Sequence, residues 1–159
     1  MAEKKSSLEY SFRINLKGRK SIWRTIVLRG DHSLHDLHET IYEAFDRYDE
    51  HLYSFYFPRA VARRDRLDFK PKEYSSPIML KEPDPFAEEK PFDAAKTKLD
   101  SLHLRLGQTF EYLFDFADNW LHEIKVIAIE PIEKTKKSTP PLISERHGES
   151  PAQYSSEEE

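Results

Sequence analysis

The 159-residue sequence has no cysteine and only four glycines, and each scarcity removes a class of chemistry. Without thiols there is no disulfide framework, thiolate zinc site, cysteine nucleophile or redox pair, which leaves His, Asp, Glu, Ser and Tyr for any reaction. Gly18, Gly30, Gly107 and Gly148 stand too far apart to build a phosphate-cradling loop, so Walker-type and Rossmann-type nucleotide binding are excluded. No run approaches the roughly 20 apolar residues that cross a bilayer, and the start, Met1 to Ser7, has no apolar signal core after its charges. A cytoplasmic location with no membrane contact is expected. The net charge of −4 gives no overall pull toward nucleic acid or anionic lipid.

What is abundant is aromatic and charged. Two Trp, eight Tyr and ten Phe, with charged residues at 34%, imply a core of large side chains under a charged surface. A chain of this length buries roughly 70% of its unfolded surface as one domain, so a single domain over 1–159 is expected, with its core at about 8–130.

Residues Leu8, Tyr10, Phe12, Ile14 and Leu16 alternate with polar ones, the period of a half-exposed strand. Gly18 accepts the positive φ of a tight turn into the β-branched run Ser21 to Leu28, which predicts a hairpin. Ser33 then precedes an apolar stripe at Leu34, Leu37, Ile41, Ala44 and Phe45. Asp36 stands three residues beyond it in an acidic capping box, so a helix of about 14 residues is expected to cover the hairpin. His51 to Phe57 reads as a third strand stopped by Pro58.

Residues 58–100 hold six prolines and little periodicity, the mark of a long insertion. Charge is segregated within it: Arg59, Arg63, Arg64, Arg66, Lys70 and Lys72 come first, and Glu73, Glu82, Asp84, Glu88, Glu89 and Asp93 follow. Asp100 to Leu106 reads as a short helix ended by Gly107. Thr109 to Asp115 and Trp120 to Pro131 form a second hairpin around the turn 116–119, and the tail 131–159 is expected to be partly mobile. The sum is an α+β domain: an antiparallel sheet of about five strands packed on one main amphipathic helix, with a long insertion.

The segments Ile22-Trp23-Arg24, Leu34-His35-Asp36-Leu37-His38, His51-Leu52 with Phe55, and above all Phe114-Asp115-Phe116-Ala117-Asp118-Asn119-Trp120-Leu121-His122 resemble the plasmid pRiA4b ORF-3-like family over roughly residues 8–130. The family pattern has glycine where this chain has Ala117, so the turn here must avoid positive φ at that position or strain to adopt it. Its C-terminal Pro-Pro-Glu-Asp-rich segment is echoed only by Ser150-Pro151-Ala152-Gln153-Tyr154. The resemblance implies a mobile-element context, and no cofactor is expected.

The sharpest constellation is Asp115, Asp118, Trp120 and His122. If Asp115 faces Trp120, pairing places Asp115 and His122 as diagonal neighbours on one sheet face, where they can orient a general base or, joined by Asp118 or His51, approach a metal. The plainer reading is that Asp118 and Asn119 form a turn, Trp120 fills core and a His–Asp pair satisfies a buried polar group. Arg24 shares its strand face with Ile22, Ile26 and Leu28, so it is expected to turn inward and pair with Asp115 or another carboxylate. His35 and His38 lack zinc-helix order and read as a solvated helix face, and His51 as a strand-end residue.

Three functions follow, in this order. The first is a non-catalytic binding or interaction module for an unknown protein or small-molecule partner, with Trp23, Arg24, His51 and Trp120 as binding candidates. The second is a metal-assisted hydrolase using Asp115, Asp118 and His122, with Asp118 and His122 as candidate ligands. The third is a nucleic-acid-binding accessory gripping phosphates through Arg63, Arg64 and Arg66, weakened by the acidic run that follows.

Overall fold

Alternation sets the first ribbon. In a computed structural model, which describes residues 8–58, 60–63, 66–69, 71–81, 85–86, 90–132 and 139–154, β1 (Leu8–Leu16) pairs antiparallel with β2 (Arg19–Arg29). Gly18 turns between them at φ 84°, and Tyr10, Phe12, Ile14 and Leu16 are buried on one face of β1.

The helix α1 (Leu34–Ala44) begins at the expected capping box. Ser33 Oγ accepts from the Asp36 N–H at 3.1 Å, and an Asp36 carboxylate oxygen accepts from the Ser33 N–H at 2.8 Å. It is shorter than expected, 11 residues, because the backbone turns left-handed at Asp46, φ 55°. There the Asp46 N–H bonds Glu43 O and the Arg47 N–H bonds Tyr42 O, a Schellman closure that satisfies two carbonyls and stops the helix.

After α1 come β3 (Tyr53–Phe57), β4 (Ala60–Arg63), β5 (Arg66–Phe69), β6 (Lys72–Ser75), β7 (Phe92–Asp93), β8 (Thr109–Phe114), β9 (Trp120–Pro131) and β10 (Leu142–His147). Eight of these strands form one sheet in the order β10-β2-β1-β9-β8-β3-β6-β7, while β4 and β5 pair separately. All neighbours in the large sheet run antiparallel except β6 and β7, which run parallel.

This corrects the expected fold class. The chain is mostly sheet, an eight-stranded mixed sheet with α1 as the one α-helix among the described residues, not about five antiparallel strands on a main helix. The added strands β6, β7 and β10 are two to six residues long and come from segments without apolar alternation. They exist because the edges of β3 and β2 offer unpaired backbone groups, a cause that has no local signature.

Part of the 58–100 segment also joins the interior, where Tyr74, Ala94 and Leu99 lie in the same cluster as Phe12, Leu37 and Phe110. Residues Leu99–Leu102 form a 3₁₀ turn that ends on left-handed His103, φ 51°, four residues before the expected Gly107. No helix among the described residues is long and apolar enough to cross a membrane.

Candidate functional site

The β8–β9 hairpin has a register that differs by one residue from the expected one. Phe114 pairs with Trp120 and Tyr112 with His122. Asp115 leaves the strand because it adopts a left-handed conformation, φ 64°, as does Asn119, φ 55°, so residues 115–119 form the loop. Ala117 is spared positive φ, as its side chain requires.

That geometry separates the proposed acid–base cluster. Asp115 Oδ1 accepts from the N–H groups of Ala117 at 3.0 Å and Asp118 at 3.3 Å, and the Asn119 N–H bonds Asp115 O at 2.7 Å. The other carboxylate oxygen faces His51 Nε2 at 3.5 Å. Asp115 is therefore a buried turn-former beside His51, not a partner of His122, and Asp118 is exposed at the loop tip. Among the described residues no three His, Asp or Glu side chains stand together in a way that could hold a metal ion.

His51 is tied to the C-terminal segment. Its Nε2 lies 2.7 Å from the Tyr154 hydroxyl, which donates in turn to Asp49 at 3.0 Å. Gln153 is buried and its side-chain oxygen accepts from the N–H groups of Tyr48 and Asp49, while its amide donates to Asp49 O at 2.9 Å. Residues 150–154 thus strap the loop that follows α1.

Arg24 does turn inward and is 2% exposed, but its partners are three carbonyls and a hydroxyl, not a carboxylate. Nε donates to Ala44 O at 2.8 Å, Nη1 to Trp23 O and His147 O, and Nη2 to the Ser150 hydroxyl. Arg146 donates to the same Ala44 oxygen at 2.8 Å. Two guanidinium groups thus meet the negative end of the helix dipole, which removes the need for an acidic partner. Trp23 is half-buried between Arg13, 4.3 Å from its ring, and the parallel ring of His147 at 5.1 Å.

His38 is a correction of the opposite kind. It is buried at 1% exposure, stacked on Tyr53 at 3.9 Å, with Nε2 facing Glu50 at 3.3 Å and Nδ1 accepting from the Tyr112 hydroxyl at 2.6 Å. Burial, helped by the nearby His35, pushes its pKa down to about 3, so its bond to Glu50 is made by a neutral ring. His35 stays half-exposed and bonds the Tyr53 hydroxyl and Glu39.

The side chain missing from the sequence reading is Arg47. The Schellman closure throws it inward immediately after α1, and it is 7% exposed, with its guanidinium carbon 4.3 Å from the Trp120 ring centre. All three of its guanidinium nitrogens are buried without a hydrogen-bond partner, and so are Trp120 Nε1 and His122 Nε2. Trp120 and His122 project from the same face of β9 two residues apart, so the five unpartnered atoms lie together.

His122 is 1% exposed, its ring edge against Phe45 at 5.1 Å and Tyr112 at 5.1 Å. Burial first, and the Arg47 charge second, push its pKa down to about 3, against a smaller upward pull from the carbonyls of Tyr112 and Trp120. Desolvation also lowers the Arg47 pKa, opposed by Tyr112 and Asp46. A separate depression of about 480 Å³ is bounded by Arg24, Asp46, Tyr48, Arg146 and residues 148–153, and its lining does not include Arg47, Trp120 or His122.

A family model described as plasmid pRiA4b ORF-3-like protein matches residues 9–154. The chain belongs to the plasmid pRiA4b ORF-3-like family. The match runs past the expected limit near residue 130 and takes in the strap that holds His51 and Arg24. No curated protein matches this pRiA4b ORF-3-like chain. A solved structure, the protein of unknown function MM3350 from Methanosarcina mazei Go1, is similar with a TM-score of 0.67 and 24% identity, over 91% of this chain and 72% of that one. At that identity the likeness is one of fold.

Of the residues singled out from sequence, the hairpin brings Trp120 and His122 together, places Asp115 with His51 and leaves Asp118 apart. The side chains of Arg63, Arg64 and Arg66 lie outside the described residues. Arg47 carried no local signal beyond being basic and following Phe45 at the end of the apolar stripe.

Proposed function

We propose that this protein is a non-catalytic binding module that takes a small polar ligand against Arg47, Trp120 and His122. What supports the reading is the group of five buried, unpartnered polar atoms on three adjacent side chains. Leaving a buried donor unsatisfied costs about 1–3 kcal/mol and more for a charged group, so a fold that gathers several in one place gives up stability there. A ligand that supplies the missing partners recovers that energy on binding, which is how a site comes to be less stable empty than filled.

The dispersal of Asp115, Asp118 and His122 favours binding over the hydrolytic alternative, because a general base and its orienting carboxylate must be within hydrogen-bond reach of each other. The test is thermal unfolding of the full chain with a panel of phosphates, carboxylates, sugars and nucleotides. Wild type is expected to be stabilised by at least one class, and Arg47→Met by none of it. A panel that leaves wild type unmoved, or moves Arg47→Met equally, defeats the reading.

A further inference from the structure

We propose that the group held at Arg47, Trp120 and His122 is a phosphate that carries a proton: hydrogen phosphate itself or the monoanion of a phosphomonoester. The inference rests on the binding reading above and names its ligand class.

The donor set requires an anion. Arg47 presents Nε and both Nη nitrogens without partners, the fork that meets two oxygens of one planar or tetrahedral oxyanion. Trp120 Nε1 can only donate, so it requires an acceptor as well. Among the described residues no carboxylate pairs with the Arg47 nitrogens, although Asp46 is its neighbour in sequence.

His122 adds the discriminating condition. Its Nδ1 lies 3.2 Å from the Tyr112 carbonyl oxygen, and because a carbonyl only accepts, Nδ1 carries the hydrogen. In the neutral ring Nε2 then holds a lone pair and is an acceptor facing inward without a donor. The groups that face this ring are Arg47 from the segment after α1, the ring and carbonyl of Tyr112 from β8, the Trp120 carbonyl from β9 and the apolar Phe45, so among the described residues no nearby carboxylate favours protonating Nε2. The ligand must therefore offer at least two acceptor oxygens and one O–H. Carboxylates and sulfate are fully ionised near neutral pH and bring only acceptors, which would set lone pair against lone pair at Nε2. A phosphate monoester loses its second proton near pH 6, so its monoanion supplies both kinds of group close to neutrality.

The experiment is calorimetric titration of the full chain with inorganic phosphate, sodium sulfate and sodium acetate at matched ionic strength, at pH 6, 7 and 9. Phosphate is expected to bind at least tenfold more tightly than sulfate at pH 6 and to keep a preference at pH 9, where hydrogen phosphate still carries one O–H for His122 Nε2. Trp120→Phe, which keeps the ring that Arg47 stacks on, is expected to weaken phosphate about tenfold, and Arg47→Lys, which keeps the charge and loses the fork, by as much or more. Circular dichroism of both variants verifies that they fold. Equal binding of sulfate and phosphate overturns the protonated-phosphate assignment. If none of the three anions binds but another small molecule of the wider panel does, this inference fails and the binding module stands. If no small molecule binds, both fail.

Discussion

The guanidinium of Arg47 lies 4.3 Å over the ring of Trp120, and neither side chain has a hydrogen-bond partner for its buried nitrogens. A cation on an aromatic face gains about 0.5–2 kcal/mol, which does not replace the hydration that burial removes from an arginine. The contact therefore holds Arg47 in place without satisfying it.

Arg47→Met, of similar length and without charge, is expected to stabilise the ligand-free protein by about 1–3 kcal/mol, because an unpaired buried charge is exchanged for apolar packing. Urea unfolding in a phosphate-free buffer measures it. A loss of stability in that buffer would mean that Arg47 is held by interactions the fold itself supplies.

His38 and His122, both pushed down to about 3, make stability depend on pH in a definite direction. Each ring is neutral in the fold and takes a proton near pH 6.5 when unfolded, so the unfolded chain binds more protons between those values. Stability is complete above about pH 6.5 and falls as the pH drops toward 3, by about 1.4 kcal/mol per pH unit for each histidine. Denaturation curves from pH 7 to 4 should show a slope of at least two protons, since burial lowers the His32 pKa as well, and the slope should shrink by one proton in His38→Asn.

Gly148 turns the chain away from β10 at φ 80°, and a Cβ placed there would stand 2.6 Å from Ser21 O. Gly148→Ala is expected to cost about 2 kcal/mol or more, since strain and a backbone collision coincide. Thermal melts read the loss, and hydrogen exchange should place the loosening in residues 142–154.

Arg24→Met removes the bonds that join the end of α1 to β10 and to Ser150. The expected loss is about 2–4 kcal/mol, moderated because Ala44 O keeps its bond from Arg146. A change under about 0.5 kcal/mol by urea unfolding would show that the carbonyls find other donors.

Asp115 separates turn-forming from catalysis. Asp115→Asn keeps an oxygen for the N–H groups of Ala117 and Asp118 and should change stability by less than about 1 kcal/mol, whereas Asp115→Ala should cost about 1–2 kcal/mol. Chemical denaturation of the two variants side by side makes the comparison.

Local features were legible because their causes are local. The alternation from Leu8 to Leu16 is a strand wherever it occurs with one face buried, and the reciprocal Ser33–Asp36 bonds need only four residues. The one-residue slip at Asp115 was not legible, since Asp115, Asn119 and their neighbours suit several loop lengths and the choice lies in two left-handed residues. His38 was misread because one helix position between polar neighbours says nothing about whether Tyr53 and Tyr112 will close over it.

By itself, then, the order of residues determined two hairpins, a capped amphipathic helix and an inward Arg24, all results of short-range periodicity, turn chemistry and burial. Only the folded chain decided that short strands from proline-rich segments would extend the sheet to eight, that Arg24 would meet the helix end, and that Arg47 would lie against Trp120 beside His122. Those outcomes depend on which surfaces and backbone edges remain unpaired once distant segments have packed, a condition that no stretch of sequence contains.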